Sequence, residues 1–316
     1  MAVLRVSACD PVADRRADYA EGLAARGEFD AAVEVMSGAL ELVPGWAAGW
    51  YRLGEYYEQA GKPSEALAAY DKVTALDPAD RFGARLKRDL LRRVPVADSM
   101  PPAFVELLFD QYAPQFEASL VGKLDYRGPS LILAELERAG FTRARRALDL
   151  GCGTGLMGEV LRDRVDWLAG YDISAGMLAE AASKAIYDGL EKRDCARMEI
   201  GDERFDLIVA ADVFAYIGAL EQVVGWCAAS LEAGGLLAFT VEAGDAPVTL
   251  QESRRFAHSR DYLEGLLRDA GFVGVRVTDC VVRQDRGADI ASLCVTASAP
   301  LSEVRPRRML EGEAEA

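Results

Sequence analysis

The sequence predicts two architectures in one chain of 316 residues: an all-α repeat domain in front and an open, mostly parallel α/β sheet behind. Three observations carry this. The front of the chain matches itself at a period of about 34 residues. From residue 143 onward, strand-like and helix-like stretches alternate, which implies a parallel sheet with right-handed crossovers. Between them, VPVADSMPP at 94–102 is a proline-rich break that reads as a domain boundary.

The repeat comes first. Self-alignment sets Gly27 on Gly61, Ala32 on Ala66, Leu42 on Leu76 and Pro44 on Pro78. The second unit carries Trp50, Leu53, Gly54, Tyr57, Ala66, Tyr70 and Pro78. Small residues let two helices of a hairpin approach, large ones fill the space that remains, and proline ends the second helix. The first copy is weaker, with Tyr19, Ala20, Leu23 and Met36 in the corresponding slots. On these residues, 13–79 resembles two tetratricopeptide repeats. RFGARLKRDLLRR after them reads as a capping helix, so the repeat domain is expected over 13–93. The resemblance implies a groove for a peptide or protein; the other reading is that the repeats only pack on the neighbouring domain or make a dimer.

The sheet elements follow in order. RRALDL is read as a strand and LMGEVLRDRV as a helix; DWLAGYDI as a strand and SAGMLAEAASKA as a helix. A short strand near IYDGLEK precedes the apolar strand RFDLIVAAD. EQVVGWCAASL is a helix and GLLAFTVE a strand. SRDYLEGLLRDAG is a helix with Ser259 as N-cap and Gly271 closing its C-terminus. FVGVRVTD and IASLCVTAS finish as a hairpin that adds an antiparallel strand at the edge.

The first strand runs into three glycines on alternate positions, in ALDLGCGTG at 147–155. Ligands of such sheets bind at the carboxyl ends of the strands, and glycines there bring bare backbone close to the ligand. Asp172 ends the next strand, at a spacing that suits a carboxylate accepting both hydroxyls of a ribose. A dinucleotide site wants G-x-G-x-x-G, and here the sixth position is Leu156. Asp149, Gly151, Gly153 and Gly155 form D-x-G-x-G-x-G instead.

This string resembles the motif of class I S-adenosylmethionine-dependent methyltransferases. The resemblance covers residues 129–299 and implies a Rossmann-like seven-stranded sheet with its last strand antiparallel. It further implies S-adenosyl-L-methionine as cofactor, with its methionine end in the glycine loop and Asp149 placing the loop and the amino group. Asp172 takes the ribose acid, Ile173 and Met177 hold the adenine faces, and Asp194 with Cys195 reads the adenine edge. At Ala210 and Ala211, closing the fourth strand, a backbone carbonyl accepts from the amino group.

Residues 94–128 are expected to be linker and lid. F-D-x-Y-A-x-x-F resembles the cover helices of small-molecule methyltransferases, in which a tyrosine at the place of Tyr112 lies over the cofactor. Phe109, Tyr112 and Phe116 also have simple helical packing spacing. Tyr126 and Arg127 lie just before the sheet domain. Candidates for acceptor chemistry are Asp212 and Tyr216 after the fourth strand and His258, the sole histidine, before a helix, with Arg255 beside it.

Composition sets bounds. A net charge of −15 repels a phosphate backbone and disfavours nucleic acid as partner. RARR at 143–146 and RPRR at 305–308 read as solvated arginines. Six cysteines without a C-x-x-C pair, together with no leader-like start and no run of about 18 apolar residues, point to a cytoplasmic protein without a membrane span. No N/D-P-P-Y motif, no Pro-Cys pair on the fourth strand and no metal-ligand cluster stand in the chain. Residues 300–316 read as a flexible tail. The functional expectation is methyl transfer to an O or N atom of a small molecule. A protein or peptide methyltransferase, and a non-enzymatic interaction module with a degenerate cofactor site, are the other two readings. A bacterial group of methyltransferases containing tetratricopeptide repeats shows the same overall order.

Overall fold

In a computed structural model of the chain, Asp10 begins the first helix by accepting from the backbone N–H of Val12 and Ala13, with Pro11 preset for the first turn. The described residues are 6–92, 100–117, 120, 124–251, 253–285 and 287–301. They divide into two units, Met1–Tyr112 and Ala113–Ala316.

The first unit holds α1 (Pro11–Ala25), α2 (Phe29–Leu42), α3 (Ala47–Gln59), α4 (Pro63–Leu76), α5 (Ala84–Arg92) and α6 (Pro102–Tyr112). α1 with α2, and α3 with α4, make the two expected helical hairpins. Ala20, Leu23, Ala32, Met36 and Leu53 bury between the first pair and α3. Tyr51, Ala66, Tyr70 and Phe82 bury around the second. The logic of small against large is visible at Gly54, where an added Cβ would stand 2.6 Å from the Tyr70 ring. Trp50 points its indole N–H at the Pro44 carbonyl, 2.8 Å away. Tyr19, by contrast, is 60% exposed, so three of the four consensus residues of the first copy are core. α5 stands at the place read as a capping helix. The linker stretch 94–99 lies outside the described residues, as do the tail from 302 and the RPRR cluster in it.

The second unit begins with a 3₁₀ turn at Ala113–Gln115 and α7 (Gly128–Arg138). Then come β1 (Ala144–Leu150), α8 (Leu156–Leu161), β2 (Val165–Asp172), α9 (Ala175–Ser183), β3 (Gly189–Lys192) and β4 (Phe205–Ala210). α10 (Glu221–Ser230), β5 (Leu231–Ala243), β6 (Val248–Leu250), β7 (Phe256–His258), α11 (Arg260–Asp269), β8 (Val273–Asp285) and β9 (Ala288–Ser298) complete it. The strands run β3-β2-β1-β4-β5 in parallel, and β9 then pairs antiparallel with β5 and with β8.

All seven expected strands form, and the last is antiparallel. It does not sit outermost: β9 lies between β5 and β8, so β8 is the edge. The hairpin folds back because β9 is the apolar member. Leu293 to Ala297 are buried, while most of β8 is half exposed. Two short strands add to the expected set: β7 pairs parallel with the end of β5, and β6 pairs with β7. Ser259 caps α11 as expected, and Gly271 follows its C-terminus at φ 88°.

Alternation along the strands fills two cores, one per sheet face. Leu148, Ile208, Leu237 and Phe239 face α10 and α11. Ala147, Leu207, Val209 and Ala238 face α7 and α8. The arginines of RARR are held by acids: Arg143 by Asp166, Arg145 by Asp206 and Arg146 by Glu203. All six thiols are free, and no described helix is long and apolar enough to cross a membrane.

Candidate active site

The glycine loop leaves the carboxyl end of β1, at the point where the chain order reverses between β1 and β4. Gly151, Gly153 and Gly155 all hold positive φ, at 62°, 53° and 97°, which L side chains rarely adopt. A Cβ at Gly151 would stand 2.4 Å from Val213. At Gly153 the nearest atom to an added Cβ is the Phe116 ring at 3.9 Å, so the middle of the loop presents bare backbone. The segment carrying Phe116 is tied down by Glu117, which pairs with Lys184 at 2.6 Å.

Asp149 lies beneath this loop, almost wholly buried. The Tyr187 hydroxyl donates to its Oδ2 at 2.7 Å, and its Oδ1 has no partner. Gly158 leaves room for that tyrosine: a Cβ there would meet the hydroxyl at 2.4 Å. Sequence reasoning missed Tyr187. A buried carboxylate requires a donor, and that need was the available signal.

Burial pushes the Asp149 pKa up to about 7; the nearby Asp172 charge adds to this and the Tyr187 hydrogen bond opposes it. In the unfolded chain the carboxyl titrates near about 4. Between these values the folded state keeps a proton that the unfolded chain has released. The stability contributed by this group is therefore full below pH of about 4 and falls as pH rises to about 7. In thermal scans without ligand, wild type is expected to lose Tm relative to Asp149→Asn across that window. A pH-independent difference between the two would contradict the assignment.

Asp172 closes β2. Its Oδ2 accepts from the Gly153 N–H at 2.9 Å and its Oδ1 from the Ser174 N–H at 2.8 Å. It thus ties the loop after β1 to the start of α9. Ser174 caps that helix by accepting from the Met177 N–H at 3.0 Å. Ile173 is half-buried, whereas Met177 is buried in the core.

Asp194 caps the 3₁₀ turn after β3, accepting from the Ala196 N–H at 2.9 Å. Cys195 is buried against the loop; burial raises its thiol to about 12, with the Gly151 backbone hydrogen bond acting the other way. Asp149, Asp172, Cys195 and the glycine loop are thus brought together. Ala211 follows β4, half-buried beside it. Tyr112 ends α6, in the first unit.

The acceptor candidates separate. His258 is wholly buried, its Nε2 is 2.7 Å from the Gly218 carbonyl, and its ring stacks on Tyr262. It packs inside the fold, with its Nδ1 unpartnered among the described residues. Asp212 stands at the carboxyl end of β4 with φ 61°, unusual for a residue with a Cβ. Its backbone N–H donates to Thr240 Oγ1 at 2.9 Å. One carboxylate oxygen takes Arg255 and the other faces Arg283 Nε at 3.5 Å. Arg255 Nε lies 2.7 Å from Glu242, Arg283 Nη2 donates to Glu242 as well, and Arg255 Nη1 donates to the Tyr216 hydroxyl at 2.9 Å. Two acids and two guanidiniums, all nearly buried, therefore balance one another beside the loop. Glu242 and Arg283 escaped sequence reasoning. Glu242 ends a strand, as Asp172 does, and that position was its signal.

A family model for a methyltransferase domain matches residues 148–239, and one for a tetratricopeptide repeat matches 47–80. The chain is 28% identical over 184 residues to a malonyl-[acyl-carrier protein] O-methyltransferase from Enterobacter lignolyticus, spanning 56% of this chain and 71% of that protein. It is 35% identical over 96 residues to a ubiquinone biosynthesis O-methyltransferase from a Bradyrhizobium species, spanning 29% of this chain and 38% of that protein. The solved structure of the [4+2]-cyclase SpnF superposes with a TM-score of 0.53 at 18% identity, over 66% of this chain and 98% of that one; this likeness is one of fold. The orphan oxygen of Asp149, the bare backbone at Gly153 and the ribose-spaced Asp172 fit a charged sulfur nucleoside. The two family matches, with a sheet order that agrees with them, show an S-adenosylmethionine-dependent methyltransferase domain preceded by a tetratricopeptide-repeat region.

Proposed function

We propose that the chain transfers a methyl group to an O or N atom of a small-molecule acceptor, with the repeats serving as a docking or assembly module. The observation that carries the reading is the convergence of Asp149, the glycine loop and Asp172 at one edge of the sheet. When bound, S-adenosyl-L-methionine supplies an electrophilic methyl on a sulfonium. Gly151, Gly153 and Gly155 hold its methionine end, Asp149 faces the amino group and the carbonyl at Ala211 accepts from it. Asp172 grips the ribose hydroxyls. Ile173 and Met177 flank the adenine, and Asp194 and Cys195 read its edge. The O-methyltransferases named above support an oxygen acceptor. Their substrates remain their own.

The domain organisation that goes with this reading is a repeat domain over 13–93, linker and lid over 94–128 and the cofactor-binding domain over 129–299. The matched repeat favours a second reading, in which the acceptor belongs to a protein or peptide docked on the repeats. Methyl-labelled cofactor incubated with the full chain and a bacterial extract tests both. The expected result is label in the small-molecule fraction. Label confined to protein moves the conclusion to the second reading. No calorimetric response to S-adenosylhomocysteine removes both.

A further inference from the structure

α6 does not continue the repeat. As the second helix of a third hairpin it would run antiparallel to α5 and bring its C-terminal end to the start of that helix. Its first turn is there instead. Phe104 is 2% exposed, and a Cβ added at Gly83, just before α5, would stand 3.2 Å from the Phe104 ring. Gly83 holds φ 68° and, lacking a Cβ, leaves room for that ring. One turn on, Leu107 packs on the cluster of Ala48, Tyr51, Tyr70 and Phe82. Ala48 and Tyr51 belong to α3, and Phe82 stands before α5, one repeat period after Ala48. α6 therefore lies on a side of the repeats to which α3 and the start of α5 both contribute. Phe104 and Leu107 are three residues apart and share one face of the helix. The N–H groups of Phe104 and Val105 donate to the Pro101 carbonyl at 2.9 and 3.2 Å, so the helix starts where Phe104 can be buried.

The chain then runs straight on to the glycine loop. Ala113–Gln115 form a 3₁₀ turn, which rises about 6 Å over its three residues. Next comes Phe116, whose ring is the nearest group to an added Cβ at Gly153. Glu117 follows and pairs with Lys184 at 2.6 Å. Lys184 also pairs at 3.0 Å with Glu159, on the helix that leaves the glycine loop. Three residues separate a helix seated on the repeats from a side chain at the loop, and a turn of that length has little slack.

We propose that α6 is the resident ligand of the repeats and that its seat there controls the cofactor site. The proposal rests on the methyltransferase reading above and gives the repeats the assembly role within it. With Phe104 and Leu107 seated, Phe116 and Glu117 are held at the glycine loop. With α6 lifted, the Phe116 ring leaves Gly153 and Lys184 loses Glu117. A protein target reaches this face only as a helix with an aromatic and an aliphatic residue three apart, and only by displacing α6. Coupling of this kind is reciprocal, so a nucleoside bound at the loop holds α6 in its seat.

The test uses the full chain, S-adenosylhomocysteine and a fluorescent peptide of residues 101–112. A tethered helix acts at an effective concentration of about 1 mM, so wild type is expected to leave micromolar peptide unbound. Phe104→Ala/Leu107→Ala strips both anchors while keeping helix propensity, and is expected to bind the peptide. By calorimetry the same variant is expected to bind S-adenosylhomocysteine about tenfold more weakly, with its circular dichroism unchanged. Wild type alone supplies the reciprocal readout, whatever the fold of the variant. Saturating S-adenosylhomocysteine is expected to slow amide hydrogen exchange in 102–112 about tenfold. Peptide bound by both chains or by neither, or exchange in α6 indifferent to the nucleoside, overturns the proposal and leaves the methyltransferase reading standing. Wild-type nucleoside affinity in the folded variant does the same. No calorimetric response of wild type to S-adenosylhomocysteine fails both.

Discussion

Asp172→Ala is expected to lower affinity for S-adenosylhomocysteine by at least about a hundredfold while the protein stays folded. The carboxylate accepts from the Gly153 N–H at 2.9 Å and from the Ser174 N–H at 2.8 Å, so it joins two segments that come from different strands. A hydrogen bond to a charged group contributes about 1.5–3 kcal/mol. Losing one such tie to the ligand, and the one that holds the glycine loop in place, amounts to about two or more powers of ten in affinity. Asp172→Asn separates the contributions: its amide keeps one acceptor oxygen but turns a donor toward one backbone N–H. Its affinity is expected between the alanine variant and wild type. Calorimetric titration gives the affinities, and circular dichroism confirms the fold. Wild-type affinity in the alanine variant would remove the ribose assignment.

The largest expected loss of stability comes from Arg255→Met. The guanidinium faces Asp212, Glu242 and Tyr216, and its side chain is only 13% exposed. Methionine fills much of the same volume but leaves two nearly buried carboxylates with Arg283 as their single cation among the described residues. Removing one partner from a buried ion pair costs about 3–5 kcal/mol, because the surviving charge stays desolvated. Urea denaturation is expected to show a loss in that range. Adding Glu242→Gln to the variant should recover part of it, since the two residues are in contact and their effects are not additive. A loss below about 1 kcal/mol would show that these charges are solvated rather than buried and mutually balanced.

The two experiments address parts of the site that differ in how far they could be read along the chain. Asp149, the three glycines and Asp172 lie within one strand–loop–helix–strand passage. Their meaning depends on spacing alone: a strand end, a turn that only glycine tolerates and the next strand end. The repeat was legible for the same reason, since each hairpin repeats its small and large residues at a fixed interval. The strands were also readable, because alternation and apolar runs are local.

Other features depended on which strands became neighbours. Tyr187 sits in a turn before β3 with no pattern around it, yet β2–β3 pairing carries its hydroxyl to Asp149. His258 drew attention as the sole histidine, and the pairing of β7 with the end of β5 turned it into the core. Asp212, Glu242, Arg255 and Arg283 come from four separate segments. They meet because β9 inserts between β5 and β8 and brings the end of β8 into reach.

By itself the sequence determined the class of fold, the repeat, the cofactor loop and the acid that follows it, because backbone torsion and strand ends are set by neighbouring residues. The tertiary structure alone decided which charges face one another. That depends on sheet order and side-chain direction, and neither is written in the spacing of any one segment.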